Sequence, residues 1–539
     1  MNDPLSAGNI NLTIARGAGV NILGAFGKLA MPIFFIAITR LYGPDVMGVF
    51  FMAYAMITIV ASLAVSGLND AVLLFVSKAH EEESEKRDRA VYQVLANGFI
   101  VSLAISMALI LFANLGGVQL ILSRYPQAGV VEAVRYLVFS LPFYVIPVIC
   151  ISATKALIIM RWEAIIQGFL LPLLLLAFAA GFYLITPTLN GLLHAYMAAG
   201  IVTTAFSLAV FRRYFSIGRL LRQISCFRLD KKLIFFAIPQ NLNMTFNASI
   251  GNLDVVMLGY FAFEPSSVGF YAMGAQLVRN IRQIKLAFSG IYSPIIARLS
   301  QRNDAAGISL SFSTVSRWAS TAALPIAFLT AIYRDELIRL FHPSFTADTG
   351  FMLLLLIPPL LSCALGLAGN IIVMTGHSIW NLTNSITVTG ATAWLGFMLI
   401  PKFGLEGAAC SAAAGAIIGS GLQLIEAHLL AGATIWVGHI YKPFVAILPA
   451  AAIVVWNEHL AGLDRVTAKA GLAAAGVALF ILLVWLLKLK EDDKRTFFFW
   501  IHRKSRNATA RMIALGSNVI SSGGRSKTRL SWPKIWFMR

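Results

Sequence analysis

Long apolar segments constrain this chain more than any other feature of its sequence. A helix needs about 20 apolar residues to cross the hydrocarbon of a bilayer, and the sequence divides into about fourteen such segments. Of its 539 residues, 58% are hydrophobic and 12% are charged, whereas soluble domains average about 45–50% and about 25%. The sequence therefore predicts an all-α polytopic membrane protein.

The apolar segments follow one another closely along the chain. Their predicted spans are 18 to 40, 47 to 69, 91 to 113, 132 to 154, 164 to 186, 190 to 211, 233 to 258, 267 to 296, 316 to 340, 350 to 374, 379 to 400, 405 to 430, 443 to 461 and 467 to 488. The first segment lacks the basic start and the cleavage site of a signal peptide. We therefore expect it to remain as a helix.

The basic residues of the short connections indicate orientation, because Lys and Arg concentrate in cytoplasmic loops. The connection "FRRYFSIGRLLRQISCFRLDKK" carries seven of them, whereas "TPTLNG" before it and "AFEPSS" after it carry none. Counting segments outward from this connection places both termini on the cytoplasmic side. The tail from residue 488 onward carries thirteen Lys and Arg against three acidic residues. Its mixture of basic and aromatic residues is typical of a strip bound to anionic lipids, not to nucleic acid.

Two pairs of similar motifs indicate an internal repeat. "YGPDVMGVFFMA" around Gly48 resembles "FEPSSVGFYAMG" around Gly269, and "LNGLLHAYMAAG" around Gly191 resembles "LEGAACSAAAG" around Gly407. The spacings of 221 and 216 residues contain an even number of segments, which predicts parallel repeats in the same orientation. We predict two six-helix bundles and a C-terminal helix pair. The predicted domains are residues 1–215 (N-terminal bundle), 216–232 (basic linker), 233–430 (C-terminal bundle), 431–489 (helix pair) and 490–539 (basic tail).

Four stretches resemble one transporter family in order and in position. They are "NLTIARGAGVNILGAFGKLAMPIFFIAITRLYGPDVMGVFFMAYA", "NLDVVMLGYF", "SVGFYAMGAQL" and "FGLEGAACSAAAG". Together they resemble the polysaccharide transporter family, the Wzx-type flippases, of the multidrug/oligosaccharidyl-lipid/polysaccharide (MOP) exporter superfamily. The resemblance covers most of residues 10 to 490.

This resemblance implies a substrate and a location. It implies transfer of an undecaprenyl-diphosphate-linked oligosaccharide, the repeat unit of O-antigen, capsule or exopolysaccharide, across the bacterial inner membrane. A polysaccharide polymerase and a chain-length regulator are the protein partners that it suggests. No enzymatic activity is implied.

Basic residues inside predicted helices are the first candidates for a substrate site, because a charge in mid-membrane normally faces a partner or a water-filled cavity. Arg279, Arg282 and Lys285 recur every third residue of the eighth segment, on one face. Lys28 is their counterpart in the first segment. Such cations suit the diphosphate, since guanidinium groups donate paired hydrogen bonds to phosphate oxygens. The alternative is that Lys285, Arg282 or Lys28 reaches the headgroups instead.

Polar residues of the seventh segment are the second set of candidates. Gln240, Asn243 and Asn247 lie at helical spacing and suit sugar hydroxyls, or else hydrogen bonds between helices. Asp254 is a candidate for ion coupling, with two alternatives: a partner for an arginine, or a helix-end residue in headgroup water.

Several chemistries have no support in the sequence. The cysteines form no C-x-x-C and the histidines no H-x-x-x-H, so we expect neither a metal site nor a cofactor. "GAFGK" lacks the pattern of an ATP-binding loop. An enzyme of the same pathway would need catalytic carboxylates on the outer face, where the loops are short. Two transporters remain as alternatives: a lipid II flippase of peptidoglycan synthesis, and a MATE-like multidrug exporter, whose cationic drugs would favour acidic residues instead.

Overall fold

The protein is built from α-helices, and the described residues contain no β-strand. The computed structural model describes residues 30–79, 84–123, 125, 128–157, 159, 161–343, 348–434, 441–456 and 466–487. Lys28, the start of the first predicted segment and the tail beyond 487 lie outside these residues.

In the first half of the chain, the described residues form eleven α-helices. They are α1 (Ala30–Tyr42), α2 (Pro44–Val65), α3 (Leu68–Ala79), α4 (Ser84–Phe112), α5 (Val118–Ile121), α6 (Ala128–Leu137), α7 (Leu141–Ala156), α8 (Arg161–Glu163), α9 (Leu171–Tyr183), α10 (Leu189–Phe211) and α11 (Ile217–Ser225). We call residues 30–225 the N-terminal half. Residues Ala113–Gly117 and Ala164–Leu170 are π-helical, and Val138–Ser140 form a 3-10 turn.

Twelve further helices follow among the described residues. They are α12 (Lys231–Ile250), α13 (Leu253–Tyr260), α14 (Pro265–Arg279), α15 (Gln283–Gln301), α16 (Ala305–Ile332), α17 (Arg334–Arg339), α18 (Phe351–Leu355), α19 (Ile357–Ala364), α20 (Ala368–Met374), α21 (Ser378–Ala431), α22 (Lys442–Trp456) and α23 (Val466–Leu486). We call residues 231–431 the C-terminal half.

The long apolar helices confirm the predicted class of fold. Among the described residues, eight helices are long and apolar enough to cross a membrane, and the pair Phe351–Ala364 and Ala368–Met374, bent by 44°, makes a ninth. The total of fourteen stays a prediction. One reason is that residues Ile379–Ala431 count as a single helix, although its backbone breaks at Gly404 (φ 58°, ψ −127°), between the two segments predicted there.

Two predicted segments differ from the helices that form. The seventh is interrupted between α12 and α13, where Asn252 departs from helical geometry. The ninth was placed too late, because α16 already begins at Ala305, where the Asp304 side chain caps the Gly307 N–H. The first turns of α16 are rich in serine, which lowers their hydropathy. Ser309 and Ser311 are nevertheless buried and donate to carbonyls of the preceding turn, so these polar residues fit a buried helix.

The repeated glycines Gly48 and Gly269 pack against each other between α2 and α14. A Cβ on Gly48 would lie 1.7 Å from the carbonyl oxygen of Pro265, and a Cβ on Gly269 would lie 2.9 Å from that of Pro44. Each glycine thus meets the proline at the start of the other helix, which is a reciprocal contact. Only the absence of a side chain allows the two helices to cross this closely.

The second repeated pair also occupies equivalent positions. A Cβ on Gly191 would lie 2.1 Å from the Thr186 carbonyl oxygen, and one on Gly407 would lie 2.3 Å from that of Leu399. In both halves, the glycine lies early in a helix and against the carbonyl end of the preceding helical segment. Each of the two sequence motifs therefore marks a structural feature that occurs once in each half.

The C-terminal helices α22 and α23 pack on α16. Phe328 and Ile332 of α16 lie in one buried cluster with Ala450 and Ala473, and Leu324 lies in a second with Ala446 and Phe480. Near one end, the Lys469 ammonium lies 2.8 Å from the Glu336 carboxylate. The helix pair α22 and α23 is thus joined to the C-terminal half through α16.

Candidate functional site

The three regularly spaced cations lie where one helical run tightens. α14 ends at Arg279, residues Asn280–Arg282 form one 3-10 turn, and α15 begins directly afterwards. A 3-10 helix has about three residues per turn, so side chains at positions i and i+3 eclipse. The local backbone therefore brings Arg279 and Arg282 closer to one line than an ordinary α-helix would, and Lys285 follows in the first turn of α15.

All three cations line one cavity of about 210 Å³ inside the C-terminal half. Its wall includes residues of α12, α19 and α21, among them Asn247, Ser362 and Gln423. Lys285 lines the cavity as well; its ammonium lies so close to Gly366 that a Cβ there would be 2.8 Å from Nζ. The cavity is therefore a cationic compartment within one half of the molecule.

Asp254 anchors the cationic cavity on one side. Arg279 Nη2 lies 2.5 Å from Asp254 Oδ2, and the Tyr271 hydroxyl donates to the same oxygen at 2.8 Å. The Val255 N–H donates to the other carboxylate oxygen at 2.9 Å. Asp254 is 3% exposed, so the structure places it in an arginine pair and not in headgroup water. The carboxylate holds Arg279 in position at the cavity wall.

The charge balance of the cavity remains positive. Within the described part of the chain, Arg282 and Lys285 form no ion pair, whereas Arg279 is paired with Asp254. Two uncompensated positive charges therefore face one small volume. Like charges held this close raise the free energy of the empty site, and an anion in the cavity would lower it.

The predicted amides divide between the cavity and the helix contacts. Asn247 lines the cavity, and its Nδ2 donates to Asn243 Oδ1 at 3.0 Å. The Ser385 hydroxyl of α21 donates to the same Asn243 oxygen at 3.0 Å. Gln240 lies elsewhere, since its amide donates to Asp70 of the N-terminal half at 3.3 Å. Asn243 and Gln240 thus join helices, and only Asn247 faces the cavity.

A buried pair on α21 was missed by the sequence analysis. Asn384 lines the cavity, and its Nδ2 donates to Glu426 Oε2 at 2.5 Å. Both residues are buried. Polar residues in the apolar runs before and after Gly404 were the available signal, but they lie 42 positions apart. Nothing in their local sequence indicates that they meet.

The described residues contain no group of three His, Cys, Asp or Glu placed to hold a metal ion. The cavity offers hydrogen-bond donors and positive charge instead. Such a wall can bind a phosphate group by charge-assisted hydrogen bonds, with the arginine planes fixing its orientation.

Comparison with known proteins places the chain in a family. It matches the family of polysaccharide biosynthesis proteins over residues 14–300. No curated protein matches its sequence.

Solved structures show the same fold at low sequence identity. A multidrug resistance MATE family transporter of the MOP superfamily, in an inward-facing conformation, aligns with a TM-score of 0.63 over 76% of this chain and 98% of its own, at 12% identity. The lipid II flippase MurJ, in an inward closed conformation, aligns with a TM-score of 0.64 over 87% of this chain and 98% of its own, also at 12% identity. The family match covers more than half of the sequence, and the chain therefore belongs to the polysaccharide biosynthesis protein family.

Proposed function

We propose that the protein is a flippase for an undecaprenyl-diphosphate-linked oligosaccharide, the repeat unit of O-antigen, capsule or exopolysaccharide. The observation that carries this proposal is the cavity lined by Arg279, Arg282 and Lys285. It lies inside a bundle of apolar helices, where a charge costs at least about 2.5–3.5 kcal/mol unless it has a partner or water. Such a cost is consistent with a functional role for the cluster.

The charge of the cavity fits the charge of a diphosphate linker. A diphosphate bridging a lipid and a sugar carries two negative charges, and the cavity presents two cations beyond the Asp254–Arg279 pair. Arg282 is exposed to the cavity, so its planar group is free to donate two parallel hydrogen bonds to phosphate oxygens. The lipid tail would stay in the bilayer while the polar head passes through the protein.

The contact between the two halves supports alternating access as the mechanism. The halves meet at the glycine crossing of α2 and α14 and, further along α2, through hydrogen bonds: Asn241 donates to the Leu63 carbonyl at 3.1 Å, and Ser62 donates to Thr245 at 3.2 Å. Gln240 and Asp70 form another such bond, and hydrogen bonds of this kind can be exchanged for hydrogen bonds to water. Rocking of one half against the other would open a path from each side in turn.

Asp254 is the proposed site of ion coupling. Protonation of its carboxylate would weaken the attraction to Arg279 and release this side chain toward the substrate. Loss of this proton would restore the negative charge of the carboxylate, draw Arg279 back and favour release of the diphosphate. In the ion-paired state, Arg279 Nη2 lies 2.5 Å from Asp254 Oδ2 and donates to the carboxylate instead of to a substrate.

A lipid II flippase is the second candidate, because its substrate carries the same lipid and diphosphate. The solved lipid II flippase aligns over 87% of this chain. A drug exporter fits less well, since cationic drugs would be repelled by this cavity. Catalysis has no support from the family or the similar structures, which are described as biosynthesis proteins, transporters and a flippase.

Polymer export in the host cell tests the proposal. The double variant Arg279→Ala/Arg282→Ala should block export while lipid-linked oligosaccharide accumulates on the cytoplasmic side. One lost charged hydrogen bond typically costs about 1.5–3 kcal/mol, or roughly ten- to a hundredfold. Arg282→Lys should be less impaired than the alanine variant, because lysine keeps the positive charge. It should not reach the wild-type level, because it lacks the planar guanidinium group. The matched control is Arg222→Ala, on α11 outside the cavity, which should export normally. Normal export by the double variant at native abundance would refute the cavity assignment.

The proposed orientation is tested separately. We propose that the protein lies in the bacterial inner membrane with both termini and Ser225 on the cytoplasmic side. In a variant without the four native cysteines, Ser225→Cys should resist an impermeant thiol reagent in intact cells, and Pro265→Cys should react. Labelling of Ser225→Cys in intact cells would reverse the orientation.

A further inference from the structure

A second cavity, of about 230 Å³, lies within the N-terminal half and has a different lining. Aromatic rings form part of its wall, and none of the described residues that line it is charged. Its aromatic and polar lining residues include Ser140, Phe143, Tyr144, Gln167, Tyr196 and Thr203. This cavity is separate from the cationic one, with which it shares no lining residue.

The aromatic wall is held in place by neighbouring rings. Tyr196 makes edge contacts with Phe50, at 6.1 Å between ring centroids, and with Tyr54, at 6.0 Å. Tyr144 is 44% exposed, so much of its ring is accessible to a ligand in the cavity. Edge-to-face packing fixes ring orientation. The cavity therefore offers one ring held by its neighbours, Tyr196, and one accessible ring, Tyr144.

A local departure from α-helical geometry brings an amide to this wall. Residues Ala164–Leu170 form a π-helix, within which Gln167 is exposed and lines the cavity. The neighbouring helix α7 carries Pro147 in its interior, also at the cavity wall. Isolated π-helical turns are rare and are frequent at functional sites.

Thr203 provides the observation that points to a polar ligand. Its side chain is buried, at 4% exposure, and lines the cavity. Its hydroxyl has no hydrogen-bond partner among the described residues. The neighbouring Thr204 hydroxyl, by contrast, donates to the Gly200 carbonyl at 2.8 Å. A buried hydroxyl without a partner is uncommon and calls for a ligand or a water molecule.

We propose that this cavity binds one pyranose ring of the glycan, stacked on Tyr144 or Tyr196 and hydrogen-bonded to Thr203 and Gln167. A pyranose presents C–H groups on its faces and hydroxyls at its edge. The faces match aromatic rings, and the hydroxyls match an unpartnered hydroxyl and an amide. A lipid tail would leave both polar groups unpaired, and a cationic ligand would find no acid in the lining. The inference rests on the proposed function, with the diphosphate in the C-terminal half and a sugar in the N-terminal half.

Binding of two lipids that differ only in their sugar tests the inference. The ligands are lipid-linked oligosaccharide extracted from the producing cells and sugar-free undecaprenyl diphosphate, each titrated against the purified full-length protein. The wild type should bind the sugar-bearing lipid about tenfold more tightly. Tyr144→Leu and Thr203→Val should each lose most of this preference while binding the sugar-free lipid as the wild type does. Tyr144→Phe, which keeps the ring, should retain most of the preference.

The outcomes separate this inference from the proposed function. Arg282→Ala should weaken binding of both lipids, because both carry the diphosphate. If Tyr144→Leu and Thr203→Val keep the full preference for the sugar-bearing lipid, the cavity is not the sugar site, and the diphosphate site stands. Displacement of the oligosaccharide by ethidium, an aromatic cation, would assign the cavity to drugs instead. A wild type that binds neither lipid would refute the proposed function and, with it, this inference. Thr203→Val tests the hydroxyl with little change of shape, so a folding defect is not expected to obscure the result.

Discussion

The two halves of the molecule share a framework but not their cavities. Gly48 in the N-terminal half and Gly269 in the C-terminal half occupy reciprocal positions at one helix crossing. Yet the C-terminal cavity carries three basic residues, and none of the described residues lining the N-terminal cavity is charged. The repeat therefore preserves the backbone contacts at the helix crossing, whereas the side chains that face each cavity differ in charge. One half suits a phosphate group and the other a neutral polar ligand.

Substitutions in the shared framework should have the largest effect on the yield of folded protein. In Gly48→Ala, the new methyl group would meet the Pro265 carbonyl oxygen at 1.7 Å, so the two halves cannot close and the yield of folded protein should collapse. Gly269→Ala should be milder, since its nearest contact would be 2.9 Å. Size-exclusion chromatography in detergent measures the yield of folded protein for each variant.

The control for the framework is Gly181→Ala, because a Cβ there has no atom within 4 Å. This variant should purify like the wild type. A normal yield of Gly48→Ala would contradict the close crossing of α2 and α14.

Ion pairs should stabilise the two halves unequally. The Asp254 side chain is 2% exposed and the Arg279 side chain 33% exposed, so Asp254→Ala should cost part of the roughly 3–5 kcal/mol typical of a fully buried pair and lower the thermal unfolding temperature. Glu163 pairs with Lys155 at 3.1 Å in the N-terminal half, but the two side chains are 36% and 28% exposed. Glu163→Gln should therefore cost less than about 1 kcal/mol.

A second substitution tests whether the loss at Asp254 comes from a stranded charge. Arg279→Met in the Asp254→Ala background should recover part of the stability, because the unpaired guanidinium is removed. Equal destabilisation by Asp254→Ala and Glu163→Gln would show that burial does not distinguish the two pairs.

Neighbouring threonines in the N-terminal half should respond in opposite directions. An unsatisfied buried hydroxyl costs about 1–3 kcal/mol, so Thr203→Val should raise the thermal stability of the ligand-free protein slightly. Thr204→Val should lower it, since the Thr204 hydroxyl donates to the Gly200 carbonyl at 2.8 Å. A loss of stability in Thr203→Val equal to that in Thr204→Val would mean that the Thr203 hydroxyl already has a partner.

The smallest effect should come from the basic tail, which belongs to neither cavity. Truncation after residue 490 removes most of a cluster of thirteen Lys and Arg, whose proposed partners are anionic lipids at the membrane surface. Polymer export by the truncated protein should persist at least in part. Complete loss of export at normal membrane abundance would place the tail in the transport path.

The sequence predicted the framework because helices and close crossings leave local signals. Apolar length gave the helical segments, and the repeated glycines marked the crossing later seen at Gly48 and Gly269. The same reasoning identified Arg279, Arg282 and Lys285, since cations in an apolar run are conspicuous. This reasoning left open whether Lys285 reaches the headgroups, because the 3-10 turn that precedes Lys285 has no clear sequence signal.

Pairings across the fold could not be predicted. Pairing with an arginine was one of three alternatives for Asp254; the partner, Arg279, lies 25 residues away, and nothing local selects it. The aromatic cavity was missed altogether, because Tyr144, Tyr196 and Thr203 are ordinary residues of apolar helices. Their significance depends on helices that meet only in three dimensions.

The central claim is that the cationic cavity recognises the diphosphate, and reconstituted transport tests it most directly. Proteoliposomes containing the wild type should translocate lipid-linked oligosaccharide joined through a diphosphate much faster than the same oligosaccharide joined through a monophosphate. Arg282→Ala should reduce the diphosphate rate roughly ten- to a hundredfold and remove most of this preference, while Arg222→Ala should leave both rates unchanged. Equal translocation of the two lipids by the wild type, or an unchanged diphosphate rate in Arg282→Ala, would contradict the account.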